Sequence, residues 1–219
     1  MSDEPELRAA RGFVEPRLQA EFPGLRLVWV TAELRGRESP PAVKARLREL
    51  SSRYRGASVV AMRTQPIPQA YRTFFRQIGL DPDATRIPSE EVAVARLLHG
   101  AFRSRDLIHD ALLIGLIETG VPIWALDANV VDVGGLGIRT TVPGDRFGTG
   151  DDAYLLPPGR MAVADARCVH ALLFGDLAGG HGVGARTTRA ALFAVGVDGV
   201  PEIHMEEAMW ACLEALAAT

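Results

Sequence analysis

The chain has 219 residues, of which 47% are hydrophobic and 23% charged, with a formal net charge of −3. That composition is typical of a globular domain with a sizeable core and excludes a disordered chain, and the slightly acidic balance argues against indiscriminate nucleic-acid binding. No apolar run reaches the roughly 18 residues of a membrane span, and the polar, acid-bearing start MSDEPELRAARGF does not read as a secretory signal.

In chain order, residues 1–12 read as a short helical start within an N-terminal extension spanning 1–13, and a single domain is expected over 14–219. Val14 to Phe22 reads as a short helix stopped by Pro23-Gly24, and Leu25 to Thr31 as a strand by its density of β-formers. A helix starts near Glu38-Ser39-Pro40-Pro41 and runs to about Tyr54, with Val43, Leu47 and Leu50 inward. A short apolar piece follows, broken at Gln65-Pro66.

Residues 66–98 carry the clearest punctuation. Pro68 suits a first helical turn. Tyr71, Phe74, Phe75 and Ile78 then recur at helical spacing, and Gly79 stands where a helix C′ glycine belongs. Asp81-Pro82-Asp83 makes a turn. Ser89, as N-cap, with Glu90 and Glu91 in the first turn, opens a second helix that runs to Gly100. Arg72, Arg76, Arg86 and Arg96 are interspersed between the apolar positions.

Asp106 reads as the N-cap of LIHDALLIGLIET, an almost wholly apolar and therefore buried helix closed by Gly120. Strands are expected at Val121–Leu126, Leu136–Val142, Met161–Asp165, Cys168–Phe174 and Thr187–Val197. Loop-like residues 145–160 and the glycine-rich GDLAGGHGVGA segment at 175–185 intervene. Pro201 to Ala218 reads as an amphipathic closing helix. Helices first, then strands, then one helix is an α+β order, not an alternating βαβ one.

Charge is unevenly spread. From Arg35 to Arg105 there are 14 Lys and Arg against 6 Asp and Glu, a net of +8, and the remainder carries −11. The basic segment reads either as an electrostatic footprint or as arginines that pair with acids elsewhere in the fold. Cys168 and Cys212 lie far apart among apolar neighbours and read as free buried thiols of a reducing, cytoplasmic setting.

The loop at 179–185 contains a formal G-x-G-x-x-A, but a strand follows it where a dinucleotide site needs a helix. The only lysine, Lys44, has no glycine frame, which removes a P-loop. Cys168 and His170 would share a strand face, yet no third ligand is evident nearby, so neither metal nor cofactor is expected. His181 stands out among the histidines, set among glycines shortly before Arg186, Thr187 and Thr188. Exposed backbone N–H groups, two hydroxyls and a guanidinium suit a carboxylate, a phosphate or a developing oxyanion; the alternative is a mobile hairpin loop with a capping threonine. Asp127, Asn129, Arg139 and Asp145 end or follow strands and read either as cleft residues or as turns with a salt bridge.

Three of these stretches, in this order, resemble the B3/B4 domain of the phenylalanyl-tRNA synthetase β subunit in free-standing form. They are Pro68-x-x-Tyr71-Arg72 with Gly79-x-Asp81-Pro82, Pro88-Ser89-Glu90-Glu91 and Arg96; Pro122 to Asp145 with Asp127, Arg139 and Gly144-Asp145; and Gly179-Gly180 running into Thr187-Thr188. The resemblance implies a three-layer fold of helices on a β-sandwich. It implies a cytoplasmic protein that binds tRNA or hydrolyses the ester of mischarged tRNA, with no membrane partner. On that reading His181, Thr187 and Thr188 would serve catalysis. Tyr71, Arg72, Arg96, Asp127, Asn129, Arg139, Asp145, Gly179, Gly180 and Arg186 would bind substrate, and Arg86 would face phosphate. Asp145 stands where relatives usually carry glutamate, and the loop after the two glycines offers His181 and no acid. The other readings are a non-catalytic module for RNA or an amino-acid-like ligand, and a protein-interaction domain with a vestigial pocket.

Overall fold

A computed structural model describes residues 9–54 and 56–218. Among the described residues the chain forms two sheets flanked by helices, a mixed α+β architecture. The first sheet has the order β1 (Ala10–Arg11), β3 (Arg26–Glu33), β10 (Arg189–Gly196), β4 (Ile123–Asp127), all antiparallel. The second has the order β2 (Phe13–Val14), β5 (Gly137–Thr140), β8 (Met161–Ala164), β9 (Val169–Leu172), β6 (Arg146–Phe147), β7 (Tyr154–Leu155). The helices are α1 (Pro16–Glu21), α2 (Pro41–Arg53), α3 (Gly56–Met62), α4 (Pro66–Gln77), α5 (Pro88–His99), α6 (Leu107–Thr119) and α7 (Glu202–Ala217).

β10 explains the layering. Seven of its eight residues, Ala190 to Gly196, are buried, so both faces of this central strand are covered. α7 packs on β10 and β3, and α6 packs on α7 and β4. Gly115 permits the close α6–α7 approach: a Cβ there would lie 2.8 Å from Cys212 Sγ and 2.9 Å from the Ala208 carbonyl oxygen. The same core continues through Leu126, Ala191 and Phe193 to Ile138, Val163 and Ala171 of the second sheet. A smaller cluster, Phe147, Leu156, Ala162, Ala164, Val169 and Ala178, fills the other side of that sheet.

Several boundaries have local causes. Asp106 caps α6 by accepting from the His109 backbone N–H at 3.0 Å, and Gly120 ends it in the left-handed region at φ 77°. α5 starts differently from expectation. Its N-cap is Ile87, Pro88 fills the first helical position, and Ser89 lies inside the helix with its hydroxyl buried and, among the described residues, unpartnered. α6 is not wholly apolar within: the carboxylate of buried Asp110 accepts from Ser39 and Ser104 Oγ, both at 2.5 Å, and from the Arg105 N–H at 2.9 Å. Of residues 1–13, residues 1–8 lie outside the described residues. Where a helical start was expected, Ala10–Arg11 and Phe13–Val14 are strands on β3 and β5. The loop-like 145–160 likewise holds β6 and β7, too short to show a period in the sequence.

Candidate functional site

The glycine-rich segment runs between the two sheets and is pinned to both. Leu177 bridges Ala171 of β9, and Gly182 bridges Leu126 of β4. The Ala178 N–H donates to the His170 carbonyl and the Asp127 N–H to the His181 carbonyl, each at 2.8 Å. It is therefore not a free hairpin loop. Gly180 makes its turn at φ 83°, with Thr149 so close that a Cβ would lie 2.3 Å from its Oγ1.

At the end of β4 this pinning gathers four of the expected site residues. Thr187 Oγ1 donates to Asp127 Oδ2 at 2.5 Å and accepts from the Gly184 N–H at 2.9 Å. Asp127 Oδ1 accepts from the Asn129 N–H at 3.0 Å, and Asn129 Nδ2 donates to Thr188 Oγ1 at 3.2 Å. Thr187 also borders a cleft of about 270 Å³, lined by Leu34, Arg35, Gly36 and Arg37 beyond β3, by Asp106, Ile108 and His109 at the start of α6, and by Val183. Arg37 donates to the Gly184 carbonyl, and the Leu107 N–H donates to the Arg37 carbonyl, so the three walls are tied together. The ring Nδ1 of His109 is 2.7 Å from Asp106 Oδ2. Burial opposes the charge on Asp106, but the His109 N–H and ring outweigh it and hold its carboxyl below the usual range. The sequence pointed to Asp127, Asn129, Thr187 and Thr188. It did not point to Arg35, Arg37 or His109, whose only signal was the basic segment and the N-cap at Asp106.

His181 does not face this cleft. It is 4% exposed, and its Nδ1 lies 3.0 Å from Nδ1 of His170, itself 1% exposed. His170 Nε2 is 3.1 Å from Asp165 Oδ2 without an aligned hydrogen bond, and it has no other partner among the described residues. Cys168 completes the group, and the structure thereby supplies the third neighbour that the Cys168–His170 spacing lacked. Burial lowers the pKa of both imidazoles and raises that of the Cys168 thiol. Asp165 stays ionised below the ordinary range: burial opposes this, but the N–H groups of Cys168 and Arg167 and the His170 ring prevail.

Tyr71, Arg72, Arg96, Arg139 and Asp145 lie apart from the glycine loop. Tyr71 is buried and its hydroxyl donates to the Val195 carbonyl at 2.9 Å. Arg72 is 5% exposed and closed on Glu90 (2.9 and 3.0 Å), Asp83 (2.7 Å) and the Pro82 carbonyl. Its guanidinium is thus spent within the α4–α5 unit and does not offer itself to a substrate. Arg96 Nε donates to the Ser51 carbonyl at 3.0 Å and braces α5 to α2. Arg139 and Asp145 form a two-pronged pair at 2.7 and 2.9 Å across the turn after β5. Gly179, Gly180, Arg186 and Arg86 are exposed. Within the basic segment, Arg46 pairs with Glu118 and Glu214, Arg53 with Glu49, and Arg63 with Asp83 and Glu90, so part of its charge is answered internally. Arg48, Arg76, Arg103 and Arg105 remain exposed. No described helix is long and apolar enough to cross a membrane. No family model matches the chain, and no curated protein matches it.

Proposed function

We propose that the chain is a free-standing module of the B3/B4 type whose cleft binds a small amino-acid-like ligand, without ester hydrolysis by His181. The observation that carries this reading is the make-up of the cleft. Arg35 and Arg37 offer cationic donors for a carboxylate, Asp106 offers an anionic acceptor for an ammonium, and Leu34, Ile108 and Val183 offer apolar contact for a side chain. Its volume, about 270 Å³, suits a ligand of single-residue size. The two-sheet α+β architecture and the three sequence stretches that resemble the B3/B4 family support the scaffold part of the reading.

Ester hydrolysis would need a water and an oxyanion site poised at the substrate. His181 is buried against His170 instead, and the Thr187 hydroxyl is committed to Asp127. Exposed Arg103 and Arg105, directly before the cleft residue Asp106, favour a second reading in which the same ligand arrives on the end of a tRNA.

Calorimetric titration with free amino acids tests the first reading. Wild-type protein binds at least one of them, and Arg35→Ala weakens that binding by about tenfold, near the value of one charge-assisted hydrogen bond. No binding of any amino acid at millimolar concentration sinks it. For the second reading, mischarged tRNAs are titrated at increasing salt. Binding without salt dependence rules out phosphate contacts, and hydrolysis abolished by His181→Ala would restore the editing reading.

A further inference from the structure

Cys168 stands directly before β9 and His170 is its second residue, at the point where the β8–β9 pairing shifts register. His181 reaches them from the glycine loop because the Ala178–His170 hydrogen bond and the Leu177–Ala171 bridge fold the loop back over β9. One ligand atom from each of the three residues then lies within 4.8 Å of the other two.

Asp165 fixes how the histidines use their nitrogens. Its Oδ1 accepts from the Arg167 and Cys168 N–H groups at 2.7 and 2.9 Å, and its Oδ2 faces His170 Nε2 at 3.1 Å. A carboxylate at that distance favours the proton of His170 on Nε2 by charge, although the two groups are not aligned as a hydrogen bond. His170 Nδ1 is left as a lone pair, and it points at His181 Nδ1, 3.0 Å away, in an interior shielded from water. Metal-bound imidazoles commonly have a carboxylate beside one nitrogen and the other bare and directed at the ion, and a small turn of the His170 ring would align its Nε2–H on Asp165.

We propose that Cys168, His170 and His181 form a binding site for a divalent transition metal of the zinc class, with Asp165 orienting His170 as an outer partner. Two nitrogens at 2.0–2.1 Å from a tetrahedral zinc are about 3.3 Å apart, so the histidine pair opens by only about 0.3 Å from its present 3.0 Å. A sulfur at 2.3 Å from the zinc sits about 3.6 Å from each nitrogen. Cys168, the one partly exposed member, has room to turn through the remaining distance. A soft thiolate with two imidazoles selects zinc, cobalt or copper over magnesium or calcium. The thiolate and the Asp165 carboxylate together balance a dication, and loading moves the thiol proton of Cys168 to solvent. Three protein ligands leave a fourth tetrahedral position for a water. The ion would also clamp the loop whose other end carries Thr187, coupling β9 to the cleft wall.

The test uses the full chain. After zinc loading and removal of excess metal, elemental analysis is expected to find one zinc per chain. Cobalt(II) loading is expected to give the intense thiolate-to-cobalt absorption that only a sulfur ligand produces. Cys168→Ser, at a partly exposed position, keeps the circular dichroism spectrum and loses that absorption. Asp165→Asn keeps the absorption and lowers cobalt affinity on the order of 10–100-fold. Wild-type protein that retains no zinc and shows no cobalt–thiolate absorption overturns the proposal. So does Cys168→Ser binding zinc as tightly as wild type.

Discussion

The α4–α5 unit and the glycine loop both bury polar side chains, and they satisfy them over different distances along the chain. Arg72 meets Asp83 and Glu90, 11 and 18 residues on. Thr187 meets Asp127 from 60 residues away, and Thr188 meets Asn129 from 59. The first unit closes on itself: its charges neutralise one another beneath a turn set by Asp81-Pro82-Asp83. The second exists only once both sheets have formed, and among the described residues it leaves His170 Nε2 unpartnered inside and Arg35 exposed on the cleft wall outside. A self-contained polar cluster holds the fold together, whereas one assembled from distant segments can face a ligand.

Breaking the first unit therefore costs stability and little else. Arg72→Ala leaves the Glu90 carboxylate buried, with half-exposed Arg63 at 3.7 Å as its remaining cation among the described residues. Loss of one partner from a buried pair costs about 3–5 kcal/mol. Urea unfolding is expected to show that loss, while ligand affinity of the folded fraction stays at the wild-type value. A loss under about 1 kcal/mol would mean that the cluster is not closed as described.

A smaller change in the loop is expected to move both quantities. Thr187→Val keeps the shape but takes the hydroxyl donor from Asp127 and the acceptor from the Gly184 N–H. Hydrogen bonds to charged groups contribute about 1.5–3 kcal/mol. A loss of that size in urea unfolding, together with weaker amino-acid binding at the cleft that Thr187 borders, is the expected pair of results. Lost stability with unaltered binding would place Thr187 on the same footing as Arg72 and erase the distinction between the two regions.

The same difference in range explains what could be read from the sequence. The α6 cap at Asp106 and the terminating glycines 100 and 120 depend on neighbours within a turn, and they stand in the structure as the spacing predicts. Arg72 carried a readable signal that points to structure: it sits beside Tyr71 among inward aromatics, where a guanidinium needs an acid, and Asp83 and Glu90 were close at hand. Asp110 inside an apolar helix gave no such clue, because one of its donors, Ser39, is 71 residues away. His181 misled for a related reason. Flanking glycines suggest a loop open to ligands, but bridges to β4 and β9 turn this one inward. The third neighbour of Cys168 and His170 was therefore visible only in three dimensions.

Ser89 gives the finest test, since sequence and structure assign it different work. A serine before two glutamates reads as an N-cap, and replacing such a cap by alanine costs about 1 kcal/mol. In the structure Ile87 holds that place, Pro88 supplies the fixed φ of the first turn, and Ser89 Oγ is buried with no partner among the described residues. Ser89→Ala then removes an unsatisfied hydroxyl and installs the strongest helix former, for an expected change between zero and about 1 kcal/mol of added stability. The sign of the shift in the urea midpoint decides between the two roles. A decrease would return the cap to Ser89 and show that α5 begins by side-chain capping; an increase would leave proline geometry as the sufficient cause of its start.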